Sequence, residues 1–328
     1  MAPDKFKGSL TAPRVAAAVA RGLREAAPGV DVRCLPVADG GDGTVDAAVA
    51  AGFVRVGRWV TGPVGEPVPA SFAVRDRTAV VEVASAAGLA LLAEPAPLDA
   101  TSHGVGELLR AALDVGCTTV VLGLGGSACT DGGAGMLEAL GDTSFDGVDL
   151  VLASDVDNPL LGPSGAAAVY GPQKGASPEQ VELLEERLAA FAQRTGPELA
   201  DRPGAGAAGG IGFAALCLGG RFRPGIEVVL ELAGFARAVA DASLVITGEG
   251  SLDAQTRHGK APYGVVRASG DVPVVAVAGQ CSVEPGDLGL KAAYALLDVE
   301  PDLTRCLARA EELLVGLGGR IARDWVSE

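Results

Sequence analysis

The 328 residues carry 26 lysines and arginines against 41 aspartates and glutamates, a formal net charge of -15. Acidity of one sign argues against nucleic acid and anionic membrane as partners. The length leaves room for two domains, and 48% hydrophobic with 20% charged residues fits a soluble globular chain.

The 47 glycines, many alanines and 4% aromatic content point to small side chains where helices meet sheets. Cys34, Cys117, Cys129, Cys217, Cys281 and Cys306 show no CxxC spacing and read as reduced core thiols, which suits the cytosol. No leader segment is visible, and the longest apolar stretch, about 205–218, is glycine-rich and too short for a bilayer. The sequence therefore predicts a cytoplasmic protein. Nothing in it sets an oligomeric state.

In chain order, Val15, Ala18, Val19, Gly22 and Leu23 share one helical face, with Thr11 as N-cap and Pro28-Gly29 as the stop. A strand over 30–37 follows, then a helix from Gly43 to about Gly52. Runs at 54–60, 70–74 and 79–83 are β-prone and separated by turn residues, which predicts β-rich structure and not βαβ. Val105, Leu108, Leu109, Ala112 and Leu113 predict a helix over 103–115, and a strand over 118–124 runs into a glycine loop. Ser177-Pro-Glu-Gln180 is a capping box, and Val181, Leu184, Leu188 and Phe191 form the buried stripe of the helix it starts. Strands over 243–246, 272–278 and 292–297, with short helices between them, complete the chain. Two α/β domains are the natural assembly.

The sequence also repeats one device, an apolar run that breaks into glycines and acids. Glycine lets backbone approach a ligand, and strand ends followed by such loops bind ligands in open α/β sheets. The opening Pro3-Asp4-Lys5-Phe6-Lys7-Gly8-Ser9 precedes a helix and reads either as an anion site or as a solvated loop. Gly123-Leu-Gly-Gly-Ser-Ala128 fits a GxGxxA fingerprint, but Asp142, Asp146 and Asp149 do not supply its acidic partner, so a dinucleotide-dependent oxidoreductase is disfavoured. The loop reads better as a phosphate or carboxylate cradle over 125–133, with Ser127 and Asp131 as polar contacts, or as a tight turn capping a helix.

Asp155 and Asp157 follow a strand two residues apart. They face one Mg²⁺ ion if the segment is extended, or belong to an Asx turn. Lys174 lies in the turn Gly171-Pro-Gln-Lys-Gly175, as a phosphate contact or a surface lysine. Glu249, Asp253, His258 and Lys260 cluster within fourteen residues. There is no GxxxxGK[ST] loop. Two histidines make a zinc site improbable, and no acyl-transfer order stands out.

Ala2-Pro-Asp-Lys-Phe-Lys-Gly-Ser9, Ala38-Asp-Gly-Gly-Asp-Gly-Thr44, Gly125-Gly-Ser-Ala-Cys-Thr-Asp-Gly-Gly133, Asp155-Val-Asp-Asn-Pro-Leu160, Tyr170-Gly-Pro-Gln-Lys-Gly175, the loop Gly204 to Gly210 and the run Ile246 to Lys260 stand in one order. Together they resemble the bacterial type-1 glycerate kinases from residue 2 to about 298. The resemblance implies ATP-dependent phosphorylation of D-glycerate with Mg²⁺, 2-phosphoglycerate being favoured over 3-phosphoglycerate. It also implies two α/β domains with a cleft between them. A discontinuous flavodoxin- or Rossmann-like parallel sheet occupies 1–58 and 236–328, and a second α/β domain occupies 59–235.

Under that resemblance, Asp155 and Asp157 serve Mg²⁺. Lys7, Lys174 and Lys260 neutralise phosphate or carboxylate charge. The loops carrying Gly125 and Gly126, and Gly206 and Gly209, supply backbone N–H groups, and Asp39 or Asp253 accepts the hydroxyl proton. Asp4, Ser9, Ser127, Asp131, Glu249 and His258 contact substrate or phosphate. Three departures stand out: the family's apolar strand before Ala2-Pro3-Asp4 is missing, the 141–149 segment is short, and the helix after Lys260 stops at Ser269-Gly270. The first predicts a parallel sheet lacking a strand. The alternative reading is a truncated, non-catalytic relative that binds nucleotide or glycerate.

Overall fold

In a computed structural model, residues 1–257 and 260–326 are described. Two compact units result. One comprises Met1–Asp39, Asp46–Ala51 and Ile226–Glu328, the other Gly40–Val45 and Gly52–Gly225. Among the described residues the strands are β1 (Ala2–Pro3), β2 (Val54–Thr61), β3 (Pro67–Arg75), β4 (Thr78–Glu82), β5 (Thr119–Gly123), β6 (Asp149–Ala153), β7 (Arg221–Arg223), β8 (Val245–Leu252), β9 (Val274–Cys281) and β10 (Ala292–Ala295). No described helix is long and apolar enough to cross a membrane.

The first unit holds a parallel sheet in the order β1-β8-β9-β10. Along β9 the pleat sends Val275 and Val277 to one face and Val274, Ala276 and Ala278 to the other. The first face packs on Val15, Val19 and Leu23 of the helix Ala12–Ala26 and on Leu314, Leu317 and Ile321 of the helix Ala310–Trp325. The second packs on Ile226, Val229, Phe235 and Val265. Covered on both faces, β9 reads as a continuous apolar run, as parallel strands do.

The expected strand over 30–37 does not form. That segment meets the start of the chain through three main-chain bonds, the Met1 amine to the Arg33 carbonyl, Leu35 N–H to the Met1 carbonyl and Val37 N–H to the Pro3 carbonyl, without forming a ladder. The neighbour has two residues to offer. The sheet expected to lack a strand keeps this short β1, paired with Thr247 and Gly248. Thr11 stands at the N-cap of the first helix in extended conformation, yet its side chain makes no cap bond.

The second unit holds a mixed sheet in the order β2-β3-β4-β5-β6-β7, antiparallel from β2 to β4 and parallel from β4 to β7. Its core joins Val81, Leu122 and Leu152 to Val105, Leu108 and Leu109 of the helix His103–Asp114 and to Met136 of the helix Ala134–Leu140. A smaller cluster lies under the helix Pro178–Thr195, where Leu184 and Leu188 are buried and Val181 and Phe191 only partly so. The Ser177–Gln180 capping box is formed in both directions.

Residues 54–58 fall in this unit and not the first, because β2 pairs with β3 along its whole length. Residues 226–235 join the first unit through buried Ile226, Val229 and Phe235. The short 141–148 connection leads directly into β6. All six cysteines are free. Cys34 is exposed, so it is no core thiol.

Candidate functional site

The first unit carries a cavity of about 370 Å³ at the carboxyl ends of its parallel strands. Its charged and polar lining, Asp4, Lys5, Lys7, Ser9, Asp39, Glu249 and Lys260, gathers where β1 and β8 end. Asp4 follows β1, where its N–H bonds the Gly248 carbonyl at 2.8 Å and ties this loop to β8. The loop then closes on itself: Phe6 and Leu10 exchange backbone bonds, and the Ser9 hydroxyl donates to the Phe6 carbonyl at 3.2 Å.

Burial above all, and then the negative charge of Asp39, push the Asp4 carboxyl up to about 7. The Lys5 N–H, 2.6 Å from Asp4 Oδ1, works against that shift. Glu249 is also raised, mainly by burial. The Thr256 hydroxyl, donating to Oε1 at 2.6 Å, and the Lys260 ammonium oppose the rise. Lys260 Nζ lies 3.2 Å from Asp253 Oδ1 and 3.6 Å from Glu249 Oε2. For Asp253 desolvation pushes upward, but Lys260, the Gln255 N–H and Ser251 outweigh it and leave the carboxyl below its ordinary range. Of the residues expected in this unit, Asp4, Lys7, Ser9, Asp39, Glu249 and Lys260 therefore share one cavity, with Asp253 held beside it. His258 lies outside the described residues.

In the second unit the expected residues serve mostly the protein. Asp131 is half-buried and lines a separate cavity of this unit, with both carboxylate oxygens engaged by the protein. Oδ2 accepts from the Ser102 N–H, the Ser102 hydroxyl and the Gly135 N–H, and Oδ1 accepts from the Gly133 N–H. These bonds fasten the loop to the start of the helix Ala134–Leu140. Lys174 is no surface phosphate contact either. It is 2% exposed, and its ammonium donates to Ser127 Oγ at 2.9 Å and to the Cys129 carbonyl at 2.5 Å. Burial lowers its proton affinity, against the opposing charges of Cys129 and Asp131. Lys174 and Ser127 thus brace the 125–133 loop on the 171–175 turn.

The glycines answer to backbone. A Cβ at Gly125 would overlap Gly41 Cα, one at Gly206 the Pro159 carbonyl and one at Gly209 the Cys129 carbonyl. Gly126 has φ +74° and accepts from the Leu89 N–H.

Asp155 and Asp157 are exposed just beyond β6. Their segment is held by Asn158, which accepts from the Tyr170 hydroxyl and donates to the Ser164 carbonyl. Among the described residues no group of three or more His, Cys, Asp or Glu side chains is placed to hold a metal ion. Two hard carboxylates that leave most positions to water and phosphate oxygens suit Mg²⁺.

Sequence reasoning missed the rest of the cavity lining. Leu296, Leu297, Leu303, Cys306, Leu307 and Ala310 form an apolar wall there. The last four fall at i, i+3, i+4 and i+7, a helical stripe that was available as a signal. It missed Glu82 as well, which is buried and accepts from the N–H groups of Gly43 and Val45.

The family model described as the glycerate kinase family matches residues 1–149 and 142–326. The two matches meet in the short 141–149 segment. Glycerate kinase of Bacillus subtilis is 44% identical over 99% of this chain and 95% of its own length. Glycerate 2-kinase of Escherichia coli is 40% identical over 90% of each chain. The crystal structure of a provisionally named glycerate kinase 2 from Salmonella typhimurium LT2 superposes with a TM-score of 0.84 at 38% identity, covering 98% of this chain and 96% of the other.

Proposed function

Because the chain belongs to the glycerate kinase family, we infer that it transfers the γ-phosphoryl group of ATP to a hydroxyl of D-glycerate. Its motifs assign it to the type-1 branch. The observation that carries the reading is the cavity of the first unit, where Asp4, Lys7, Asp39, Glu249 and Lys260 meet.

Phosphoryl transfer asks for positioned phosphates, charge neutralisation and an oriented hydroxyl. Lys7 and Lys260 bind and orient the anionic groups. Asp4 accepts the hydroxyl proton, since a base serves best with its pKa near the working pH. Asp39, whose charge keeps Asp4 high, is a positioning residue. Asp253, held low by Lys260, is the weaker acceptor. As the proton passes to the Asp4 carboxylate, the substrate oxygen bonds the γ-phosphorus. The bond to the β–γ bridging oxygen breaks and ADP departs. Asp155 and Asp157 of the second unit would hold Mg²⁺, which supplies charge neutralisation when bound.

We assign the transfer to O2, giving 2-phosphoglycerate, as the name of the Escherichia coli relative supports. The net charge of -15 argues against nucleic-acid and anionic-membrane partners, and free cysteines without CxxC spacing support a cytoplasmic protein. ADP release on adding D-glycerate to protein, ATP and Mg²⁺, with phosphorus NMR of the product, tests the reading. A folded sample that binds ATP and releases no ADP would overturn it in favour of a binding protein.

A further inference from the structure

The cavity of the first unit has an apolar lining that the phosphoryl chemistry at its charged residues does not use. In that lining Leu296, Cys306 and Ala310 are buried, whereas Leu303 is 60% and Leu307 46% exposed. These two leucines sit one helical turn apart on the helix Leu303–Ala308, presenting apolar surface to a cavity and not to a core. Ser251 and Gln280 line the cavity too, joined by a bond of 3.1 Å from Gln280 Nε2 to Ser251 Oγ.

D-Glycerate has three carbons, each bearing oxygen, and gains nothing from such a wall. A purine ring has two apolar faces and a polar edge, and leads through a ribose to a chain of phosphates. We propose that the apolar wall formed by Leu303, Leu307 and Leu297 is the base subsite of the nucleotide, with the phosphates running toward Lys5, Lys7 and Lys260. The inference rests on the kinase reading and deepens it by giving the nucleotide an orientation. Its support is complementarity of the lining across the strand order: Lys5 and Lys7 follow β1 and Lys260 pairs with Glu249 of β8, whereas Leu297 follows β10 at the opposite edge of the sheet. The volume, about 370 Å³, lies at the small end of ordinary ligand sites, as suits a base with its ribose while the phosphates reach outward.

Direct binding of ATP and of inorganic tripolyphosphate, which lacks the base, tests the proposal without turnover. Both leucines are exposed and alanine favours helix, so Leu303→Ala and Leu307→Ala keep the fold, as unchanged melting temperatures will show. Each is expected to weaken ATP about fivefold, and the double variant more than tenfold, from lost apolar contact. Tripolyphosphate binding and the KM for D-glycerate stay where they were. Leu91→Ala, at an exposed leucine of the second unit, changes none of these.

Equal weakening of ATP and tripolyphosphate overturns the subsite, as do an unchanged ATP affinity and a rise confined to the KM for D-glycerate. Base-dependent ATP binding in a protein that releases no ADP leaves the subsite standing and removes the kinase reading. ADP release with leucine variants indistinguishable from the parent does the reverse.

Discussion

Asp4 shows how one carboxyl acquires both a chemical and an energetic signature. Its pKa near 7 arises first from burial and second from the Asp39 charge. As the proton acceptor it must be ionised, so kcat/KM for D-glycerate is expected to rise with pH through about 7. Asp4→Asn should lose that limb together with about 10² to 10⁴ of the rate. A variant that keeps the limb would take the role from Asp4.

The same shift has a second consequence. The folded chain binds this proton more tightly than the unfolded chain, where the group titrates near 3.8. Its contribution to stability is therefore complete below pH 3.8 and is lost as pH rises through about 7. The full displacement corresponds to about 4 kcal/mol at most. Asp4→Asn should raise the melting temperature of the ligand-free protein at pH 8 and leave it unchanged at pH 4. A purely structural carboxylate would give the opposite sign at pH 8.

At the scale of elements, the close approach of the helix Ala12–Ala26 to the helix Ala310–Trp325 reverses a familiar rule. Replacing glycine by alanine inside a helix ordinarily stabilises by about 1 kcal/mol. At Gly316 an added Cβ meets nothing within 4 Å, and Gly316→Ala should show that gain in urea unfolding. At Gly22 the added Cβ would overlap the Val315 carbonyl, so Gly22→Ala should cost about 1–3 kcal/mol instead. Matching gains at both positions would mean that the helices do not pack this closely.

The apolar stripe containing Gly22 was legible in the sequence, because period and caps are local. The facing partner was not, since it lies some 290 residues away in the chain. The same limit explains the strand expected over 30–37. Its composition is β-prone, but pairing depends on a neighbour of two residues. The candidate site divides in this way too. The motifs at Asp4 and Glu249 were visible separately, and the pairing of β1 with β8 joins them. Gly125 and Gly209 were visible as glycines, whereas the backbone they make room for was not. Asp131 and Lys174 carry reactive chemistry, and only their hydrogen bonds reveal that the protein consumes it.

For the whole molecule, the decisive fact is that the second unit is not continuous in sequence. Residues 40–45 reach it from an early part of the chain and bring it two N–H donors, Gly43 and Val45, for one oxygen of Glu82. Glu82 is 9% exposed, and a carboxylate at that depth depends on donors. The same segment lays Gly40 and Gly41 against Gly123 and Gly125, where no side chain fits. A fragment cut at 52–225 keeps every strand of the six-stranded sheet and loses these contacts. It is expected to unfold at lower urea than fragment 40–225, by about 1–3 kcal/mol for the lost donors.

Glu82→Gln separates this cause from a general loss of packing. In fragment 40–225 the substitution weakens two charge-assisted bonds and should destabilise. In fragment 52–225 it replaces a carboxylate that has lost the Gly43 and Val45 donors by a neutral amide and should stabilise. If Glu82→Gln shifts both fragments in the same direction, the 40–45 segment contributes through packing alone. Opposite shifts would make residues 40–45 part of the second unit's folding energy, although Asp46–Ala51, which follow them, belong to the first.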